Sequence, residues 1–388
     1  NCLGLVTPAI GLNATFAPTM PPAGRVAFIS QSGALGSAIL DWASEKNVGF
    51  SHFVSVGSMA DISFDHLIDY FGSDSRTACI LIYMESLGNA RKFMSAARAF
   101  ARSKPIVILK AGASVQGARA ALSHTGAMAG NDAVYDAAFR RAGVIRVQTI
   151  QQLFDCTQAL ATQPLPPGNR LAIVTNAGGP AILATDALEQ RGGTLAILSP
   201  ETQAELDKVL PKAWSKGNPV DILSDGTADQ FRAAVHACLF DPNVDAVLVI
   251  FTAQNVNEAE TVARVVVAES KAVYSKPVYA AWMGLQTVKT GRAILETGKV
   301  PWYPFPERAV VTFMHAVRYR ENLELLHETP SDMPIEFPDI KRDEARAILD
   351  GVRQSDRIYL DESESKRLLA CYGIPVNTSY LAKTEDEA

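Results

Sequence analysis

Cysteine pairs are missing from this sequence. Its five cysteines, Cys2, Cys79, Cys156, Cys238 and Cys371, stand far apart with no CxxC or metal-type spacing. That excludes a disulfide framework and sets a reducing cytosol as the expected, cytoplasmic compartment. The six histidines form no HxxxH or HExxH pair, so no metal site is expected within this stretch. Positive charge is also scarce. A net charge of -5 lacks the basic footprint of a nucleic-acid binder, so no nucleic-acid partner is expected. No apolar run approaches the ~20 residues of a membrane helix, and no secretory signal pattern is read at the start, so no membrane association is expected. A Walker loop, a GxGxxG turn and a GxSxG elbow are absent too. Their absence removes P-loop nucleotide binding, a dinucleotide fingerprint and a hydrolase triad from the common readings.

What is present is a chain of 388 residues, 48% hydrophobic and 20% charged, the balance of a globular protein with two or three domains. Residue 1 is not Met, Asn1 to Val6 reads like the end of a strand, and a helix starts near Glu385. The stretch therefore reads as the middle of a longer protein.

Along the chain, residues 1–23 read as irregular and end in linker chemistry, Pro18-Thr19-Met20-Pro21-Pro22, since proline fixes its own φ and disfavours helix before it. Gly24 to Gly33 reads as a strand entering a glycine turn, followed by a helix from Ala34. Strands are expected near 52–56, 78–84 and 105–110, and helices near 63–72, 89–103 and 131–142. Strands alternating with helices predict βαβ units and a parallel sheet.

The plan then recurs. Residues 169–179 echo 24–34 almost position for position. Asp241-Pro242-Asn243-Val244 echoes Asp74-Ser75-Arg76-Thr77, and Ser275-Lys276-Pro277 echoes Ser103-Lys104-Pro105. Three matched segments in one order predict two copies of a doubly wound α/β domain, 24–150 and 168–325, joined by a helix at 150–161 and the Pro-rich link to Gly168. A long helix follows from Glu307 to His327, then an exposed Pro-rich stretch, helical pattern at 342–354, and a short helix closed by Gly373, which suits an αL cap.

Each copy has a strand, a small polar turn and a helix. The first turn offers Ser30, Ser32 and Gly33; the second offers Asn176, Ala177, Gly178 and Gly179. A helix start exposes unpaired N–H groups and favours an anion, while tight connections also use glycine for packing alone. Two matched turns can together hold one phosphate.

The copies differ where chemistry would sit. After the apolar run Pro105–Lys110, residues 112–131 are mostly small and carry Ser123-His124-Thr125-Gly126. Read as a mobile loop at the carboxyl end of a strand, this segment makes His124 a nucleophile or proton carrier; a hydrogen-bonded loop histidine is the plainer alternative. Aligning the third strands puts Glu85 opposite Thr252, and nothing in the second copy matches His124. A carboxylate at Glu85 can accept one ring N–H and leave the other nitrogen nucleophilic; a solvated strand-end acid is its alternative. Asp221 reads as a turn cap or a neighbour of the second turn, Trp282 and Met283 as core, and Arg318 and Arg320 as a solvated helix face.

These residues resemble the NDP-forming acyl-CoA synthetases, the superfamily of succinyl-CoA synthetase, and most closely the single-chain, ADP-forming acetate–CoA ligase type. Gly24–Leu35 and Asn176–Gly179 are similar to that family's two phosphate-binding helix starts, Glu85 to its His-orienting glutamate, and Ser123–Ala127 to its phosphohistidine loop. Asn1-Cys2-Leu3-Gly4 is similar to the segment closing its CoA-binding domain, and Leu360–Val376 to the opening of its ATP-grasp domain. The resemblance implies two flavodoxin-like domains flanked by truncated pieces: 1–23 from the CoA-binding domain, linkers at 151–167 and 326–356, and 357–388 opening the ATP-grasp domain. It implies that Asn1 and Cys2 lie toward CoA and that His124 takes a phosphoryl group from an acyl phosphate with Glu85 orienting the ring. ATP or ADP, CoA and phosphate are the implied cofactors, with Mg in the absent ATP-grasp domain. The implied partners are small-molecule substrates, in a homo-oligomer at full length. Two further readings remain open: a synthetase-like regulatory body of a protein lysine acetyltransferase, and a non-catalytic flavodoxin-like scaffold.

Overall fold

Apolar runs such as Ala27-Phe28-Ile29 and Ile106-Val107-Ile108-Leu109 must be covered on both faces, which a parallel sheet between helices achieves. The computed structural model of the chain places them so. It describes residues 2–45, 48–125, 131–254, 258–327 and 340–377, with 382, 384 and 386.

The first module comprises β1 (Gly4–Thr7), β2 (Leu12–Thr15), β3 (Ala23–Ser30), α1 (Gly33–Glu45), β4 (Phe50–Ser55), α2 (Phe64–Ser73), β5 (Cys79–Met84), α3 (Ala90–Phe100), β6 (Ile106–Lys110), α4 (Val115–Thr125), α5 (Asp132–Arg141), β7 (Ile145–Val147) and α6 (Ile150–Thr162). Its sheet runs β2-β1-β4-β3-β5-β6-β7. The second comprises β8 (Arg170–Thr175), α7 (Gly178–Glu189), β9 (Thr194–Leu195), α8 (Pro200–Val209), β10 (Val220–Asp221), α9 (Ala228–Phe240), β11 (Ala246–Thr252), α10 (Glu258–Ala272), β12 (Val278–Met283), α11 (Lys289–Thr297), β13 (Trp302–Tyr303) and α12 (Pro306–His327). Its sheet runs β10-β8-β11-β12-β13, with β9 also on β8. Counted from β3, and from β8 with β9 and β10 taken as two pieces of one edge position, the parallel strands of both sheets run in the flavodoxin-like order 2-1-3-4-5.

The repeat extends to single hydrogen bonds. Lys104 Nζ donates to the Asp74 carbonyl and Lys276 Nζ to the Asp241 carbonyl, each at 2.6 Å. Thr77 N–H returns to Asp74 and Val244 N–H to Asp241, each at 3.1 Å.

Two expectations are corrected. Residues 1–23 are not irregular: β1 and β2 form an antiparallel hairpin, and β1 adds antiparallel to β4. The strand end read at Asn1 to Val6 corresponds to β1, whereas β2, four residues long and mostly exposed, shows no apolar pattern of its own. The segment after β6 is likewise no loop over most of its length. Ala118, Arg119, Ala120, Ala121 and Leu122 are strong helix formers, and α4 runs past them to Thr125. The same small residues serve helix propensity as readily as loop mobility.

Two helices tie the modules together. Val310, Phe313 and Val317 of α12 fill the core beneath the second sheet, while Tyr319 and Leu326 of the same helix enter the cores on the two faces of the first. Helix α6 does the reverse, giving Leu153, Phe154 and Cys156 to the first module and Ala159 to the second. Arg308 of α12 grips Asp155 of α6 with two bonds, at 2.7 and 3.0 Å.

Residues 328–388 form a separate unit. Within it, α13 (Arg342–Gln354) and α14 (Glu362–Cys371) pack through Ala345, Ile348 and Cys371. The helix at 342–354, expected in a linker, thus belongs with the short helix after it, because its apolar stripe needs that partner. A capping box of Asp361 and Glu364 starts α14. The Pro-rich stretch at 328–339 lies outside the described residues.

Candidate functional site

The carboxyl ends of the two sheets are built alike and filled differently. At each first turn a hydroxyl folds the chain back: Ser30 Oγ donates to the Ser32 carbonyl at 2.8 Å and accepts Ser32 N–H at 3.1 Å. Thr175 Oγ1 does the same with Ala177, both at 2.9 Å. The next residue in each turn is a carboxamide. The Gln31 side-chain oxygen accepts Glu85 N–H and Ser86 N–H; the Asn176 oxygen accepts Thr252 N–H at 2.9 Å, while its amide donates to the Thr252 carbonyl. These bonds and the strand registers superpose Glu85 on Thr252, as the repeat predicts.

Two expected phosphate contacts are thereby corrected. The Ser30 hydroxyl and the Asn176 side chain are buried and spent bracing their own turns, so neither is a free side-chain donor to an anion. Ser32 Oγ accepts Leu35 N–H at 3.3 Å at the start of α1. Beside it, Ser32, Gly33, Ala34, Ser37, Cys2 and Leu3 line a cavity of about 360 Å³. Cys2 is held there by a 2.7 Å bond from its thiol to the Ser55 carbonyl. The sequence therefore brings Cys2 together with the first turn; Asn1 lies outside the described residues.

The second turn opens on a different cavity, about 340 Å³, lined by Gly178, Ile182, Thr185, Ser215, Pro219 and Asp221. The two cavities share no lining residue. Asp221 does both things expected of it. Its Oδ1 accepts Leu223 N–H at 2.9 Å, and its Oδ2 lies 3.2 Å from where a β-carbon on Gly178 would stand. The start of α7 thus already faces a carboxylate, whereas the start of α1 faces hydroxyls and a thiol. The first helix start is the better anion seat of the two.

Glu85 is half-buried at the carboxyl end of β5. Besides Gln31 at its backbone, it lies close enough to act on Tyr83: burial first, and then this carboxylate, raise the Tyr83 pKa. Lys110 ends β6, directly across from Met84, and is only 5% exposed. Its ammonium donates to the Ala111 carbonyl and lies 4.7 Å from the centre of the Tyr135 ring. Burial lowers the Lys110 pKa, while Asp132 and Glu85 pull it back up and Arg146 opposes them. Arg146 in turn binds Asp132 Oδ1 at 2.5 Å, at the first residue of α5.

His124 stands in the last turn of α4, three positions after Ala121. Gly112, at φ +74°, turns the chain from β6 into that helix; a β-carbon there would lie 3.5 Å from the Ala121 methyl. The His124 side chain and residues 126–130 lie outside what the structure describes, and with them the expected Glu85–His124 bond. Gln31, Tyr83 and Lys110 were not foreseen. Gln31 had a signal, since it aligns with Asn176 inside the repeat; Lys110 had another, a charge ending a wholly apolar strand. Trp282 is core as expected, stacked at 4.7 Å on Phe251. Arg318 is exposed, and Arg320, partly exposed, pairs with Glu324.

Both modules match known families. A family model described as the succinyl-CoA ligase like flavodoxin domain matches residues 23–160, and one described as the Ligase-CoA domain matches 171–324. The alpha subunit of acetate–CoA ligase [ADP-forming] II from Pyrococcus furiosus is 38% identical, covering 83% of this chain and 71% of that one. The chain belongs to the NDP-forming acyl-CoA synthetase family. Within that family, the 4-hydroxybutyrate–CoA ligase [ADP-forming] of Nitrosopumilus maritimus is 36% identical over the whole of this chain, which spans 55% of that protein. The chain thus covers about half the length of such curated relatives. The acetyl-coenzyme A synthetase 1 of Ca. Korarchaeum cryptofilum, solved with phosphate and ADP, superposes with a TM-score of 0.76 at 35% identity, over 84% of this chain and 71% of that one. No helix among the described residues is long and apolar enough to cross a membrane.

Proposed function

We propose that this chain is the phosphoryl-carrying centre of an acyl-CoA synthetase that interconverts acyl-CoA, ADP and phosphate with a carboxylic acid, CoA and ATP. The observation that carries the reading is the asymmetry of the two modules. They share a sheet, a turn and a carboxamide brace, but only the first holds an acid at the strand end, Glu85 where the second has Thr252. Only the first is followed by Ser123-His124-Thr125-Gly126.

In this reading phosphate attacks the thioester carbonyl, and CoA leaves as the thiol. A ring nitrogen of His124 then attacks the phosphorus of the acyl phosphate; the N–P bond forms as the P–O bond to the acyl group breaks and the carboxylate departs. Glu85 accepts the N–H of the other ring nitrogen, keeping the attacking one unprotonated. The start of α1, with Ser32, Gly33 and Ala34 around its cavity, seats the phosphoryl oxygens. The terminal oxygen of ADP finally takes the phosphoryl group from His124. Positioning and charge stabilisation supply most of the catalysis in such transfers. Residues 2–23 and 357–388 adjoin the CoA-binding and ATP-grasp domains of the whole protein, where CoA and the Mg-nucleotide are met. The phosphate and ADP bound by the Korarchaeum relative support this choice of ligands.

The test is to incubate full-length protein with ATP labelled at its terminal phosphate. Acid-labile, base-stable label on the wild type, lost in His124→Ala, is the expected result. Equal labelling of the two would overturn the reading and favour a regulatory or scaffolding role.

A further inference from the structure

The hairpin of β1 and β2 belongs to the first module; the sheet of the second carries none among the described residues. Ser55, the last residue of β4, fastens its start. The Ser55 hydroxyl accepts Leu3 N–H at 2.9 Å, and the Ser55 carbonyl accepts the Cys2 thiol. A second clamp holds its end. Thr15 Oγ1 donates to Asn13 Oδ1 at 2.6 Å and accepts Ala17 N–H at 2.9 Å, while Asn13 Nδ2 donates to the Ala17 carbonyl at 3.2 Å. Both neighbours of Phe16 are thus tied down. Ala17 is turned into the core and Phe16 outward, 89% exposed; Phe240, the next most exposed phenylalanine among the described residues, stands at 59%. A single apolar side chain on a surface is ordinary. This one is set apart by its place, because the ring lines the cavity at the start of α1.

The chemistry of that cavity is one-sided. No residue lining it carries a charge, whereas its counterpart at the second turn has two carboxylates, Asp186 and Asp221. Its polar side chains have already given their protons away. Ser37 Oγ donates to the Gly33 carbonyl at 3.2 Å, and the Cys2 thiol is held by Ser55 at 2.7 Å. Away from the helix start the lining is hydrocarbon: Leu3, Ala34 and Phe16. A charged group placed against that hydrocarbon meets no base, and burying it unpaired costs free energy. An apolar chain placed there leaves water instead. A phenyl ring offers a wide flat face and has only two side-chain torsions to fix. At about 360 Å³ the cavity is small for a ligand site, which suits a compact head with a short tail.

We propose that Phe16 determines acyl specificity: with the phosphoryl end of the acyl phosphate at the start of α1, the acyl chain lies over Leu3 and against the Phe16 ring. This assignment rests on the acyl-CoA synthetase reading above and narrows its substrate to monocarboxylic acids with an apolar chain. Each carbon beyond acetyl adds contact with the ring, while a second carboxylate would face hydrocarbon.

The test uses full-length protein and initial rates of CoA-thioester formation from ATP, CoA and acetate, butanoate, hexanoate or glutarate. The readout is the ratio of kcat/KM between two acids, so a general loss of activity cancels. Phe16→Ala should lower hexanoate relative to acetate by about tenfold or more, the scale on which an apolar pocket discriminates a methylene. Phe16→Leu should lower it less, and Phe16→Tyr, which keeps the flat face, should retain the wild-type ratio. Should the alanine variant not fold, Phe16→Leu against Phe16→Tyr carries the same comparison. An unchanged ratio in the alanine variant, a change confined to KM for CoA, or a wild-type preference for glutarate over butanoate would each overturn the proposal. If instead wild type acquires no His124-dependent label from ATP, the function reading fails. That outcome is distinct, because labelling from ATP involves no acyl group.

Discussion

The side-chain oxygen of Gln31 accepts the backbone N–H of Glu85 at 2.5 Å and holds the next N–H, of Ser86, at 2.9 Å. The end of β5 is therefore shaped by a residue more than fifty positions earlier in the chain. Replacing it by leucine leaves two half-buried N–H groups without that acceptor. At about 1–3 kcal/mol for an unsatisfied buried donor, Gln31→Leu should lose roughly 2 kcal/mol of stability in urea unfolding. It should also lower His124 labelling more than a stability loss of that size explains, since Glu85 is displaced.

Glu85→Gln preserves the shape of the side chain and the backbone bonds from Gln31. It replaces an obligate acceptor by a group that can also donate. The preference for the ring tautomer with a free attacking nitrogen should weaken, and labelling should fall at least about tenfold, as for other positioned acid–base groups. Unchanged labelling would remove Glu85 from the mechanism.

Gly143 adopts φ +77°, and a β-carbon there would lie 2.3 Å from Leu326 of α12 and 3.0 Å from Ala101. Gly143→Ala combines left-handed strain with overpacking, each worth about 1–3 kcal/mol. A loss of at least about 2 kcal/mol is expected by denaturant unfolding, because the methyl drives the last turn of α12 off the first module.

His315 lies in α12, and burial together with Arg318 and Arg191 lowers its pKa from 6.5 to about 4. Between these values the unfolded chain binds a proton that the folded chain refuses. Stability is therefore full above pH 6.5 and is lost as pH falls toward 4, by up to about 3 kcal/mol at 1.36 kcal/mol per unit. Followed from pH 7 to pH 4, the urea midpoint of wild type should fall further than that of His315→Gln, which lacks the titrating ring.

Much of this was legible in the residues. The duplicated sheet followed from three matched segments, and the alignment that set Glu85 against Thr252 is the one drawn by Gln31 and Asn176. Alternation of strands with helices predicted parallel sheets, while their flavodoxin-like order came with the family resemblance. What escaped notice did so for physical reasons. The hairpin at Gly4–Thr15 has strands of only four residues, too short for a period of two to show. Helix α4 is rich in small residues, among them Gly117, Ala118, Ala120, Ala121 and Ser123, which suit a mobile loop as well as a helix. Ser30 and Asn176 have the chemistry of phosphate ligands, and only coordinates reveal that their hydrogen bonds are turned inward. Lys110 was passed over because a single lysine after an apolar run normally marks where a strand meets water; here it remains buried.

Helix α12 has a consequence for how the molecule comes apart. Its first turns are seated in one core and its last turns in another. Heat or urea cannot melt either sheet while leaving this rod fully packed. Residues 2–327 should consequently denature in one step rather than two, with the tyrosines and tryptophans of both halves reporting a common midpoint.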